Sequence, residues 1–285
     1  MYYWLSQLRE APVSAWIGIV LIGFFSILAI FAPLIAPFPE IAVVGPQYHA
    51  WAAPHYLGTD GLGRDVMSRL IFGARNTVGI ALATTILAFL LGGITGLLAA
   101  TLGGWFDMIS SRIVDILMAI PSLIFALMIL TITGTSVLSL ILVIAVLDST
   151  RVYRLSRAVA QDILTMDYIE VARMRGEGLP WLIRREVLPN AAAPLIAEFG
   201  LRFCFVFLFI SALSFLGLGL QPPTADWGSM VRESAKLISF ANFSTWQTAT
   251  FGLAPLLPAG AIALLTVAVN LVVDWVLHIS SGLKE

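Results

Sequence analysis

The sequence has little of what enzymes use for chemistry. It contains one cysteine, Cys204, so no disulfide can form within the chain. Its three histidines lie in a loop or near the C-terminus, away from any nucleophile or metal-ligand cluster. The only lysines, Lys236 and Lys284, do not follow the glycines of a Gly-x4-Gly-Lys-Ser/Thr phosphate-binding loop. We therefore predict no catalytic residue, no metal site and no cofactor on this chain.

Charge is also scarce, and this indicates the class of protein. Only 12% of the 285 residues are charged, 59% are hydrophobic, and the mean hydropathy is +0.93. A soluble domain carries about twice that share of charged residues. We predict an all-α integral membrane protein in contact with lipid, with no role in binding nucleic acid.

Uncharged runs predict the membrane helices, because about 20 helical residues cross the hydrocarbon. The run 116–147 is too long for one crossing, and the turn sequence at 133–136 divides it into a third and a fourth helix. Pro121 should kink the third helix and is a candidate for the translocation path, and the fourth should continue past Asp148. The six predicted spans are 16–35, 77–102, the two helices within 116–147, 191–218 and 254–273.

Basic residues concentrate between the fourth and fifth spans, and cytoplasmic connections carry an excess of Lys and Arg. This predicts that the connection and both termini are cytoplasmic, and that the loops 36–76 and 219–253 face outward. The chain then divides into residues 1–76, with the first span and an outward loop, and residues 77–285, a core of five spans.

The connection at about 162–190 is the most informative segment. Residues 162–175 favour a helix that ends at Gly176, and residues 181–188 favour a second short helix that stops at Pro189. Two short helices joined by a glycine turn would form a protrusion at the membrane surface. On composition alone, a basic loop that touches anionic lipid remains the alternative.

Two charged residues fall within the fifth span. Glu198 and Arg202 are four residues apart, on one helical face and in a favourable order for an ion pair. They are either a structural pair or part of a substrate path, since ionisable residues inside a membrane commonly mark function.

The two outward loops have turn-rich sequences. Residues 58–65 should form a compact turn, and 222–235 a tight turn followed by a short amphipathic helix along the surface. His49 and His55 lie near Asp60 and Asp65, but without a further His or Cys they are weak evidence for metal.

An ordered pattern adds a resemblance to a known family. Glu170-x-Ala172-x3-Gly176, followed after nine residues by x-x-Leu188-Pro189, resembles the signature loop of permease subunits in ATP-binding-cassette (ABC) importers. The stretches 55–75, 103–122 and 214–230 are similar to the subfamily that takes up peptides, opines and nickel. Together they extend over most of the chain in one order.

The resemblance implies a type I importer permease fold in the bacterial inner membrane. In that family the coupling helix of the loop sits in a groove of an ATPase. The corresponding coupling residues here are Glu170, Val171, Ala172, Arg173, Arg175, Gly176, Leu188 and Pro189. Ala172 and Gly176 would permit close approach, and Glu170 would pair with a basic residue of the ATPase.

The implied partners are two ABC ATPases that bind ATP and Mg, a second homologous permease in a heterodimer, and an extracytoplasmic solute-binding protein, called the carrier below. The outward loops would meet the carrier at Asp60, Asp65, Asp226 and Trp227. The implied function is to form half of a path for peptides or peptide-like solutes, with nickel chelates or opines as alternatives.

Two competing functional classes remain, an intramembrane enzyme and a self-contained channel or secondary transporter. An intramembrane enzyme needs a nucleophile and base or a metal cluster within the helices, and none is evident in the sequence. A channel or secondary transporter would ordinarily contain internal repeats or broken helices, and no clear repeat relates the two halves.

Overall fold

A computed structural model describes residues 11–240 and 246–280. Over these ranges the chain is helical, and its β contacts are isolated bridges between residues 43 and 65. The helices are α1 Val13–Ile30, α2 Ala32–Ile35, α3 Val66–Leu102, α4 Gly104–Ala119, α5 Ser122–Thr133, α6 Val137–Leu164, α7 Asp167–Met174, α8 Leu179–Leu182, α9 Leu188–Phe215, α10 Trp227–Ala235, α11 Trp246–Leu253 and α12 Leu256–Ser280. A π turn, Ile183–Val187, joins α8 to α9, and a 3₁₀ turn, Lys236–Phe240, follows α10.

Helix α3 is the longest element and connects the two ends of the molecule. It starts directly after Asp65, whose Oδ2 accepts a hydrogen bond from the Ser68 N–H at 2.8 Å. This is an N-cap, which satisfies one of the free N–H groups of the first turn. The 37 residues of α3 extend about 55 Å, so the helix begins well before the predicted span at 77.

Helices α3 and α6 pack closely because small residues line their contact. A Cβ atom added to Gly96 would lie 2.6 Å from the carbonyl oxygen of Tyr153, and one added to Gly92 would collide with the carbonyl of Ser149. Glycines four residues apart let two membrane helices approach in this way. The contact holds α6 along the second half of α3.

The described helices supply four or five candidate membrane spans. Within the described ranges, four helical segments are long and apolar enough to cross a membrane: Val13–Ile30, Val66–Leu102, Leu179–Phe215 and Ala249–Ile279. The pair α4 and α5 would add a fifth if it crosses as one span, although it is bent by 88°. The expected kink at Pro121 is therefore a break between two helices, and the count of six stays a prediction.

The predicted turn at 133–136 and the extension of the fourth helix are both confirmed. Helix α6 begins after Ser136, whose Oγ accepts a hydrogen bond from the Ser139 N–H at 3.0 Å. It continues past Asp148 to Leu164. Its second half carries Arg151, Arg154 and Arg157, so α6 is long enough to cross a membrane but is apolar only in its first half.

The segment 162–190 differs from its prediction in two places. The helix expected at 162–175 is interrupted, because α6 ends at Leu164 and α7 begins at Asp167. The second helix does not stop at Pro189. The π turn changes the bonding pattern just before the proline, with the Leu188 N–H donating to the Ile183 carbonyl, and the chain continues into α9.

Two apolar clusters hold the helices together. The larger one joins α1, α3, α6, α9 and α12 and includes Phe207 and Trp227. The smaller one lies at the C-terminal end of α3, where Leu97 belongs to one buried cluster with residues of α6, α7, α8 and α9. We call residues 165–187 the knob, and residues 36–65 together with 219–240 the cap. The knob packs on the C-terminal end of α3, and the cap packs on its N-terminal end.

The predicted positions of both termini fall on residues 1–10 and 281–285, outside the described ranges. The outward loop predicted at 219–253 likewise includes 241–245, which are outside them.

Candidate functional site

The underside of the knob is apolar and buried. Ile169 and Ala172 of α7 are fully buried and belong to the smaller cluster, together with Leu97 of α3 and Leu182 of α8. The Ala172 side chain faces into the chain, and its predicted part in coupling to the ATPase stays a prediction. Ala172 fixes how closely α7 lies against the main bundle.

The outer face of the knob is charged and exposed. Glu170, Val171, Arg173 and Arg175 lie on the solvent side of the buried Ile169 and Ala172. Within the residues described, neither Glu170 nor the two arginines form an ion pair within 4.0 Å. These charges are therefore available to a partner. Leu188 and Pro189 are also exposed, at the start of α9.

Gly176 makes the turn that closes the knob. Its φ is +82°, a conformation that side chains other than glycine's disfavour. The Gly176 N–H donates to the Arg173 carbonyl at 2.9 Å, and the Glu177 N–H donates to the Ala172 carbonyl at 3.2 Å. The predicted glycine turn is confirmed, and it ends α7 in the manner of a helix C-cap.

A charge cluster connects α6 and α9 inside the bundle. Arg202 Nε lies 2.8 Å from Glu198 Oε1, which confirms the predicted ion pair. Arg202 Nη1 also lies 3.5 Å from Oδ1 of the buried Asp148. The Phe205 ring contacts both the Arg202 guanidinium, at 5.4 Å, and that of Arg151, at 4.3 Å. The cluster thus joins the two helices that flank the knob.

Pro121 is not part of this charge cluster. It is exposed at the bend between α4 and α5, where its carbonyl accepts a hydrogen bond from the Phe125 N–H at 3.0 Å. Its assignment to the translocation path remains a prediction.

In the cap, Trp227 and Asp226 are buried in contacts within the chain. Trp227 Nε1 donates to the Leu70 carbonyl at 2.9 Å, and its ring lies edge-on to Phe25 and Phe207. Asp226 caps α10, accepting a hydrogen bond from the Ser229 N–H at 3.0 Å. These two side chains therefore face into the chain, and the predicted meeting of their loop with the carrier stays a prediction. The short helix predicted after the turn is α10, whose first four residues are buried.

Asp65 is also an internal group. Besides capping α3, it lies 3.1 Å from the Nδ1 atom of the buried His55. In the part of the chain that the structure describes, no group of three His, Cys, Asp or Glu side chains could hold a metal ion. The pair orders the compact turn predicted at 58–65.

Asp60 and Glu233 form an ion network with two arginines. Asp60 Oδ2 lies 2.7 Å from Arg64 Nε and 2.5 Å from Arg69 Nη1. Glu233 of α10 lies 2.7 Å from the same Arg69 nitrogen and 3.5 Å from Arg64 Nη2. The network ties the first loop of the cap to the second.

Electrostatics keeps Asp60 ionised. Burial opposes its ionisation. This effect is outweighed by hydrogen bonds from the backbone N–H groups of Arg64 and Leu62, and by the nearby guanidinium groups of Arg69 and Arg64. The pKa of Asp60 therefore lies below its ordinary value. At Asp226 the balance is reversed, because burial outweighs the hydrogen bonds from Ser229 and raises the pKa.

Sequence reasoning missed five charged members of these clusters as site residues: Arg64, Arg69, Asp148, Arg151 and Glu233. The sequence did contain a signal for Asp148, because this aspartate ends an uncharged run long enough for a membrane helix. Burying such a charge is costly, so it needs a partner. Its pairing with Arg202 joins residues 54 positions apart, a spacing that no local pattern reports.

A bundle of long apolar helices with a buried charge cluster and an exposed charged knob defines a multi-pass membrane subunit of a transport system. Residues 92–281 match the family of binding-protein-dependent transport system inner membrane components. The chain belongs to this family, which has the type I ABC permease fold, and it is a permease subunit of an ABC transport system.

Curated relatives extend over nearly the whole chain. The dipeptide transport system permease protein DppC of Alkalihalophilus pseudofirmus is 32% identical over 274 residues, 94% of this chain and 85% of that protein. The di/tripeptide transport system permease protein DppC of Pseudomonas aeruginosa is 35% identical over 264 residues, 90% of this chain and 84% of that protein. A putative peptide permease protein of Brucella suis is 34% identical over 77% of this chain and 70% of that protein.

Proposed function

We propose that this chain imports peptides or peptide-like solutes, forming half of a translocation path that a second, homologous permease completes. The relatives named as dipeptide, di/tripeptide and peptide permeases support this substrate class. A carrier delivers the solute to the cap, and two ATPases bind ATP and Mg on the opposite side of the membrane. This chain itself hydrolyses nothing.

The knob is the observation that carries the mechanism. Its exposed charges are suited to a groove on an ATPase, and its apolar underside packs on α3, α6 and α9. Because a packed interior transmits strain, closure of the two ATPases would move these helices together. The solute path would then open toward the carrier, and hydrolysis would return it to the inward-facing state.

The orientation of the chain is part of the same proposal. With the knob in the cytoplasm, the concentration of arginines in the second half of α6 agrees with the tendency of basic residues to stay inside. The cap then lies on the outer side, and both termini are cytoplasmic.

Replacing Gly176 by valine tests the coupling role. Valine at this positive φ costs about 1–2 kcal/mol, although its Cβ would meet no neighbouring atom, so the turn is displaced without a clash. We expect peptide uptake by reconstituted importer to fall to about one tenth, a change of about 1.4 kcal/mol, while the partner ATPases still hydrolyse ATP.

Gly178→Val is the matched control. Gly178 is two residues away and equally exposed, but its φ of −81° is open to any residue, and a Cβ there makes only ordinary contact with Pro180. This variant should keep near-normal uptake. Unchanged uptake by the Gly176→Val importer, at equal amounts of assembled complex, would contradict the docking role of the knob.

A further inference from the structure

An open cavity of about 530 Å³ lies between the cap and residues of α3, α11 and α12. Its wall combines aromatic rings, including Tyr48 and Trp51, with charged residues from both loops of the cap. Cavities of about 300–1,000 Å³ with an apolar lining and a few polar groups are the usual form of small-molecule sites. The space is therefore large enough for a solute of a few amino-acid residues.

The charges of the cavity wall do not balance. Four cations line it, and two of them, Arg64 and Arg69, are held by Asp60 and Glu233. The other two, Arg232 and Lys236, have no carboxylate within 4.0 Å among the residues described. Like charges four residues apart on one helical face repel each other, and an anion between them would relieve this.

The Arg232 side chain packs on backbone beside the wall. Its guanidinium lies directly over Gly217, where an added Cβ would collide with Arg232 Nη1. Gly217 has a φ of +92° just after α9 ends. The half-buried guanidinium therefore rests on backbone at the boundary between α9 and the cavity. Arg69, in the same wall, has two buried nitrogens, Nε and Nη2, with no hydrogen-bond partner.

We propose that this cavity binds the carboxylate of a small solute, with Arg232 as its principal partner and Lys236 as a second cation. A guanidinium matches a carboxylate in shape and charge. The site would recognise the carboxylate end of the solute and not its amine end. Asp60 and Glu233 are already paired with arginines, so they would bind an ammonium group weakly. The inference rests on the proposed function, since a peptide carries both an amine and a carboxylate terminus.

The test measures binding and uptake with matched ligands. The assembled importer is placed in lipid nanodiscs without carrier, and the affinities of radiolabelled alanyl-phenylalanine and its C-terminal amide are compared. We expect the free acid to bind about tenfold tighter, a difference of about 1.4 kcal/mol. Arg232→Gln should remove that preference, Arg232→Lys should restore part of it, and N-acetylation should have little effect in any variant.

Arg75→Gln is the matched control, because Arg75 is exposed on α3 and does not line the cavity. It should keep the acid preference of the unmodified importer. Equal affinities for acid and amide without any substitution, no measurable binding at millimolar acid, or the same loss in Arg75→Gln would overturn the proposal. An Arg232→Gln importer that keeps the acid preference but binds carrier more weakly would assign Arg232 to the carrier surface and also overturn it.

Failure of the proposed function has a different signature. In that case the unmodified importer, supplied with carrier and ATP, would take up no peptide at all. If peptide is taken up and the acid preference is absent, only the cavity proposal fails. Recovery of the complete complex by size-exclusion chromatography checks that each variant assembles.

Discussion

The knob and the cap lie at opposite ends of α3 and are held in place by different interactions. The knob is anchored by apolar side chains, with Ile169 and Ala172 buried under α7 and its charged groups in solvent. The cap has an apolar anchor too, at Trp227 and Met230, but it also contains buried polar groups, with Arg69 only 1% exposed and joined to Asp60 and Glu233.

The difference indicates which charges are available for recognition. Exposed surface ion pairs contribute little to stability, so the charges of the knob can vary in their pairing as a partner binds and leaves. Buried pairs are costly to break, so those of the cap keep two loops together through the transport cycle. Arg232 and Lys236 are the exceptions within the cap, because neither has a carboxylate within 4.0 Å among the residues described.

The largest effect should follow removal of the buried arginine of the cap. Arg69→Leu removes one of the two arginines that Asp60 and Glu233 share, the one that lies 2.7 Å from Glu233. Breaking a buried pair in this way costs about 3–5 kcal/mol. Thermal unfolding of the purified importer should shift strongly downward, or the complex should fail to assemble.

Arg173→Leu is the corresponding change in the knob, where the side chain is exposed. It should leave thermal stability nearly unchanged and act on ATPase binding instead. If Arg173→Leu destabilised the protein as much as Arg69→Leu does, the proposed difference between the charges of the knob and those of the cap would be wrong.

A smaller effect is expected from the apolar anchor of the knob. Ile169→Ala removes a fully buried side chain from the smaller cluster and should cost about 2–4 kcal/mol locally. Hydrogen exchange of the α7 amides should accelerate, whereas exchange in the cap should not. Val171→Ala is the control on the same helix, because Val171 is 48% exposed. Equal protection in both variants would argue against an apolar anchor.

The charge cluster between α6 and α9 tests whether a movement of the knob is transmitted to the cap. Single reversals, Glu198→Arg or Arg202→Glu, should reduce uptake to about one tenth, or about 1.4 kcal/mol. The double reversal restores the pair but puts a glutamate beside Asp148, so we expect only partial recovery. Adding Asp148→Asn should improve it. No recovery in either combination, with normal assembly, would favour a direct solute contact over the ion pair.

Much of the knob, and the ion pair on α9, were predictable from sequence because the information is local. The glycine turn at Gly176 and the i,i+4 pair of Glu198 and Arg202 both depend on short spacings. The burial of Ala172 was missed because small residues suit a core and an interface equally well. Choosing between them requires knowing that Ala172 lies in one apolar cluster with Leu97, far earlier in the chain.

The cap was less predictable because its contacts are long-range. Asp60 and Glu233 meet through Arg69 across more than half of the chain, and Trp227 bonds to the carbonyl of Leu70. The sequence showed carboxylates in turn-rich loops, which equally suit a carrier-binding surface. Similarly, the run 116–147 was uncharged throughout, so nothing in its composition separated a kink at Pro121 from the 88° break that occurs there.

The smallest effect concerns pH and the buried aspartate of the cap. Burial raises the pKa of Asp226 above its ordinary value, so its favourable contribution is complete only below the unfolded pKa and is lost as pH rises through the folded one. Asp60 has the opposite sign, since its lowered pKa gives stability that is lost as pH falls.

Asp226→Asn keeps the helix cap, because asparagine caps about as well as aspartate. It should therefore flatten the decline in thermal stability as pH rises above the ordinary pKa of aspartate, while leaving the acid loss from Asp60 in place. Asp167→Asn, an exposed change in the knob, should not alter the profile. An unchanged slope in Asp226→Asn would mean that the charge of Asp226 is compensated in the folded cap, and that the contrast between the two ends does not extend to this residue.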